Sequence, residues 1–175
     1  DMIGKLLDKA WAKPLDDEKS EPVAHRLPAK PLDEGSYGNG RFISPEKAII
    51  DSNWDWSIPD WKNLRGGKRS RFTNIKMLHA DDPGAEFEVR FEGRAIGAYV
   101  VAGPDAGILE ASVDRGPFKK VNLFHRFSKG LHYPRTVMFA SDLKPGPHRV
   151  HVRLVSGKNK TTPGNAARII QFVAN

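Results

Sequence analysis

From residue 46 onward, apolar side chains recur at every second position in short runs, and Gly, Pro, Asp and Asn break the runs apart. A period of two puts successive side chains on opposite faces of a strand, so this pattern commits the chain to half-buried β-structure. Phe87, Val89 and Phe91 alternate with Glu86, Glu88 and Arg90; Val150, Val152 and Leu154 alternate with Arg149, His151 and Arg153. The spacing predicts strands over 48–51, 72–79, 85–92, 95–102, 107–114, 118–124, 134–141, 147–155 and 167–174. Asp114-Arg115-Gly116-Pro117 and Lys144-Pro145-Gly146-Pro147 are turn signals between them. Such a series predicts an all-β fold, a jelly-roll-like two-sheet β-sandwich spanning 46–175. The sequence carries no internal repeat.

Ahead of the strands the pattern differs. Ile3, Leu6, Leu7, Ala10 and Trp11 fall on one helical stripe, which predicts a short helix over 1–11. A helix of about eleven residues is marginal unless its stripe packs on something. Either it docks on the sandwich, or it is the remnant of an upstream domain. The stretch lacks the cationic start, apolar centre and cleavage site of a signal peptide. Residues 12–45 read as an extended linker, with Pro14, Pro22, Pro28, Pro31 and Pro45, acids at Asp16, Asp17 and Glu18, and turns around Gly35-Ser36-Tyr37-Gly38-Asn39-Gly40. Val23, Leu27, Leu32, Tyr37 and Phe42 could pin it along a surface.

Composition narrows the function classes. With no cysteine in 175 residues, disulfide scaffolds, thiolate metal sites and cysteine nucleophiles are excluded. No apolar run approaches the ~20 residues of a membrane helix, so no membrane partner is expected. The net charge is +7, but Lys62, Arg65, Lys68, Arg69 and Arg71 supply five of those charges within one acid-free window. That is a local basic loop rather than a duplex-binding face, and no nucleic-acid partner is expected.

Catalytic motifs are missing. There is no Gly-x-Ser-x-Gly elbow, no His-Glu-x-x-His and no phosphate loop between a strand and a helix, so neither catalytic residues nor a cofactor is predicted. His148 and His151, three apart on a strand, face opposite ways and cannot share one metal; no metal ligand set stands out. Two aromatic constellations are candidate ligand sites. Trp54, Trp56 and Trp61 gather in one short segment, where indole faces suit a sugar ring as well as a core. His125, Arg126, His132 and Tyr133 crowd a loop that also holds Phe127, Lys129 and Arg135, punctuated by Gly130 and Pro134.

Val101-Ala102-Gly103-Pro104-Asp105-Ala106-Gly107, Ser112-Val113-Asp114-Arg115-Gly116-Pro117-Phe118 and Ser128-Lys129-Gly130-Leu131-His132-Tyr133-Pro134 together resemble the C-terminal β-sandwich of bacterial SGNH (GDSL-type) hydrolases. The likeness continues through Leu143-Lys144-Pro145-Gly146-Pro147-His148 and extends back to Leu27-Pro28-Ala29-Lys30-Pro31-Leu32-Asp33 and Ser36-Tyr37-Gly38-Asn39-Gly40-Arg41. Met2 to Trp11 is similar to the last helix of that family's catalytic domain. None of the family's Ser, oxyanion-hole or Asp-x-x-His blocks occurs, so no catalytic residue carries over. The resemblance implies a carbohydrate or acyl esterase, secreted or periplasmic, of which this chain is the non-catalytic tail. Two functions follow as expectations: a carbohydrate-binding module for a polysaccharide or oligosaccharide, or a sandwich that packs on the upstream catalytic domain of the same polypeptide and completes its cleft.

Overall fold

The computed structural model describes residues 1–12, 24, 29–30, 33, 35–156 and 164–175. Val23, Leu27, Leu32, the acidic patch and Pro14, Pro22, Pro28 and Pro31 lie outside the described residues. Two compact units are present, Asp1–Ser36 and Tyr37–Asn175. In the first, helix α1 (Met2–Trp11) is capped by the Asp1 carboxylate, which accepts from the Ile3 amide at 3.1 Å.

The second unit is a sandwich of two antiparallel sheets. Its strands are β1 (Arg41–Ile43), β2 (Ile49–Ser52), β3 (Asp55–Ser57), β4 (Met77–Ala80), β5 (Glu86–Glu92), β6 (Ile96–Ala102), β7 (Ile108–Val113), β8 (Lys119–Asn122), β9 (Tyr133–Ala140), β10 (Pro147–Val155) and β11 (Ala167–Ala174). The first sheet runs β3-β4-β11-β6-β9, with β1 also on β11; the second runs β2-β5-β10-β7-β8. From β4 to β7 the chain changes sheet at every strand, and it does so again from β8 to β11. Each crossing carries apolar residues to the shared interior. Phe87, Val89, Val150, Val152 and Leu154 of one sheet meet Ile96, Ala98, Val100, Ile169 and Phe172 of the other, all buried. Their charged neighbours in sequence face outward, as the period of two requires.

The expected strand over 72–79 is shorter than its pattern suggested. Its first residues form a helical turn, α2 (Ser70–Thr73), and only Met77–Ala80 pairs in the sheet. The competing force is burial on the outside of the first sheet. Phe72 joins Met77 and Val101 there in a second small core, with Trp61, Ile75, Tyr99 and Ile170 packed against it. β1 and β3 were not foreseen; with three residues each, neither displays a period. Among the described residues, no helix is long and apolar enough to cross a membrane.

Candidate functional site

Four loops converge at one end of the sandwich. The Gly67 amide donates to the Gly130 carbonyl at 2.8 Å and the His132 amide to the Gly67 carbonyl at 2.9 Å, which stitches the basic loop to the 124–135 loop. The Ala166 amide donates to the Asp105 carbonyl at 2.8 Å and the Leu123 amide to the Gly107 carbonyl at 3.1 Å. Beneath these loops lies a buried polar knot. Arg168, 2% exposed, makes a two-point contact with Asp105 at 3.0 and 2.7 Å. Its guanidinium also sits 5.4 Å from the centre of the Trp61 ring. Burial pushes the Asp105 carboxyl up, but the hydrogen bond and charge of Arg168 outweigh it and hold the group below the usual carboxylate range.

His132, 1% exposed, stands edge-on to Trp61 at 5.2 Å and has its Nε2 2.9 Å from the Arg65 carbonyl. Burial lowers its pKa, so the ring is neutral in the fold at neutral pH. Its Nδ1 and the Trp61 Nε1 are buried without a hydrogen-bond partner. Gly103 is required beside it, because a Cβ there would meet the imidazole at 2.2 Å.

The candidate residues therefore separate. Trp54, 4% exposed, is a core residue, edge-on to Phe87 at 4.9 Å. Trp56 is half-buried against the same core and donates from Nε1 to Glu46 at 3.1 Å. Trp61 is clasped by Arg168 and His132, as above. The structure does not bring the three indoles into one platform. It does bring His125, Arg126 and Tyr133 together on the surface, with Phe127 as the fourth member.

His125 and Tyr133 stack at 5.5 Å and 16°. Phe127, 47% exposed, leans on both, with centroid distances of 5.2 Å to each. Arg126 is exposed and lies 4.7 Å over the Phe127 ring. A single helical turn, Arg126–Lys129, holds the group: the Phe127 amide donates to His125 Nδ1 at 3.4 Å and Ser128 Oγ accepts from the His125 amide at 3.2 Å. Apolar ring surface beside guanidinium donors can take the CH face of a sugar and bond its hydroxyls or a carboxylate. Phe127 was visible in the sequence as part of this loop, but only the structure separates it as the most exposed ring.

No family model and no curated protein sequence matches the chain. The fold is matched by solved structures. One is a two-domain esterase, CEX, active on acetylated mannans, with a TM-score of 0.59, 16% identity, and 98% of this chain and 44% of that one covered. Another is a family two carbohydrate esterase from Cellvibrio japonicus (TM-score 0.50, 13% identity, 77% of this chain and 32% of that one). A third is an exo-β-1,3-galactanase from Phanerochaete chrysosporium (TM-score 0.50, 19% identity, 79% and 30%). The chain spans less than half the length of each of these proteins. In fold it resembles the β-sandwich portion of carbohydrate esterases.

Proposed function

We propose that this chain is a carbohydrate-binding accessory domain of an SGNH-type carbohydrate esterase, without catalytic residues of its own. The observation that carries the reading is the His125-Phe127-Tyr133 cluster, half-buried but for the exposed Phe127 and its neighbour Arg126, on a sandwich whose fold recurs in carbohydrate-active enzymes. A second structure of CEX was co-crystallised with mannopentaose, which makes a mannan the first ligand to try. Binding of this kind raises the effective concentration of a linked catalytic domain at its polymer.

Affinity electrophoresis through gels containing acetylated mannan, then a panel of other polysaccharides, tests it. The wild-type chain is retarded; Phe127→Ala and Tyr133→Ala migrate freely while keeping the wild-type melting temperature. A wild type that no glycan retards overturns the reading. The second function, a sandwich that packs on the catalytic domain and completes its cleft, then takes its place. That alternative draws on one observation: the match to the two-domain esterase takes in 98% of the chain, α1 as well as the strands.

A further inference from the structure

Away from the loop end, one group of ligand-type side chains lies on the outer face of the second sheet. Asp51 of β2, Glu86 of β5 and His151 of β10 bring two carboxylate oxygens and an imidazole nitrogen within 4.8 Å of one another. The residues are remote in sequence, and the sheet order β2-β5-β10 makes neighbours of their strands. Alternation sets Glu86 and His151 outward, next to the inward Phe87 and Val152. Asp51 reaches them by a different route. Ile50 pairs with Phe87 and Ser52 with Glu86, so Asp51 is the extra residue of a β-bulge. A bulge re-aims the side chain it carries, and this one sets Asp51 Oδ2 4.0 Å from His151 Nε2.

His151 Nε2 lies 2.8 Å from Glu86 Oε2. It is shielded from solvent and yet makes no hydrogen bond, so the close oxygen stands off the axis along which the nitrogen would donate. Two such atoms that do not bond each other suit a third that both can reach. A Zn²⁺ ion holds N and O ligands at ~2.0–2.2 Å, so ligand atoms up to about 4.2 Å apart can share one ion. Both distances from Nε2 meet that condition, and the two carboxylate oxygens, within 4.8 Å of each other, need draw together by no more than about 0.6 Å. Charge agrees as well: two carboxylates balance a divalent ion, and the neighbouring guanidiniums are engaged elsewhere, Arg149 with Glu88 at 3.3 Å and Arg153 with Glu110 at 2.7 Å.

We propose that Asp51, Glu86 and His151 bind a divalent transition-metal ion of the Zn²⁺ type, tying the bulged edge strand β2 to the middle of the second sheet. The imidazole favours Zn²⁺ over Mg²⁺ or Ca²⁺, and the exposed side of the site leaves the remaining positions to water. An ion that binds the folded chain alone raises its melting temperature.

The test is calorimetric titration of the chelator-treated chain with ZnCl₂ and, separately, MgCl₂, paired with thermal unfolding. A single Zn²⁺ per chain and a Zn²⁺-dependent rise in melting temperature are expected, with no response to Mg²⁺. His151→Gln and Asp51→Asn should each weaken Zn²⁺ binding by about tenfold or more. Glu88→Gln, beside the site, should not. Asp51→Asn is exposed and nearly isosteric, so it reports on binding even where His151→Gln lowers stability. Zn²⁺ binding left unchanged by both substitutions, no Zn²⁺ effect on the wild type, or equal affinity for Mg²⁺ overturns the proposal.

Discussion

Burial decides what single residues do here. Trp54 and Phe127 are both large aromatics, but one fills the core and the other stands on a surface turn. Trp54→Ala should therefore cost about 3–5 kcal/mol in urea unfolding, whereas Phe127→Ala should shift stability by no more than about 0.5 kcal/mol. Equal effects would refute the division of the aromatics drawn above. Arg168→Met removes the partner of a half-buried carboxylate; the expected loss is about 3 kcal/mol, at the lower end for a broken pair because Asp105 keeps some contact with water. His148 supplies a pH signature. The Asp114 carboxylate, 2.6 Å from His148 Nδ1, raises the imidazole pKa, and the Lys144 carbonyl at Nε2 adds to it. The same contact, helped by the Arg149 amide, holds Asp114 below the usual carboxylate range. A raised imidazole stabilises the fold fully below its ordinary pKa of about 6.5, and that contribution is lost as pH rises through the higher folded value. The lowered carboxyl contributes above its ordinary value of about 4 and fades as pH falls further, so the pair is at its best between these limits. Between pH 5.5 and 8.5 the wild type should lose more stability than His148→Gln; parallel profiles would show that the pair is not linked to folding.

At the level of elements, the sequence was readable wherever a strand was long enough to show its period. β5, β6, β7, β9, β10 and β11 fall within the runs expected, most cleanly β5 and β10, where one register buries Phe87, Val89, Phe91, Val150, Val152 and Leu154 and a slip by one would expose them. β1 and β3 are too short for that signal, and α2 was hidden because burial of Phe72 on the outside of the first sheet overrode a strand-like run. The candidate sites divide in the same way. His125, Arg126, Phe127 and Tyr133 are close in the chain, so their loop could be found by reading it. The Asp51-Glu86-His151 group depends on which strands are neighbours and on a bulge, and neither is written in local pattern. The knot under the loops is likewise a product of topology, and it fixes Gly103 by contact. Gly103→Ala would drive a methyl into the His132 ring, so the expected cost is about 1–3 kcal/mol, read as a lower urea midpoint. An unchanged midpoint would mean that the β6–β7 loop yields freely around His132.

For the whole molecule, one contact on the first sheet bears on whether the sandwich can carry out chemistry. A sequence without the esterase blocks predicts no chemistry, but the fold sets Ser57 Oγ 2.9 Å from His79 Nε2 across the β3–β4 pair. The contact has part of what a nucleophile needs. Burial lowers the His79 pKa, which keeps the ring neutral and able to accept a proton. Activation of a hydroxyl also needs a base oriented by a third group and donors placed where the oxyanion develops, and these supply most of the rate. Among the described residues no carboxylate hydrogen-bonds to His79, Asp55 and Asp81 acting on it only through their charge, and Ser57 stands exposed on the short edge strand β3. The pair is best explained as a cross-strand hydrogen bond on the outer face of the first sheet. The chain should accordingly hydrolyse p-nitrophenyl acetate no faster than the small background that any surface imidazole contributes, and Ser57→Ala should leave that background unchanged. Turnover with a burst of acylated enzyme, lost in Ser57→Ala, would make the sandwich an esterase in its own right and end the accessory-domain reading.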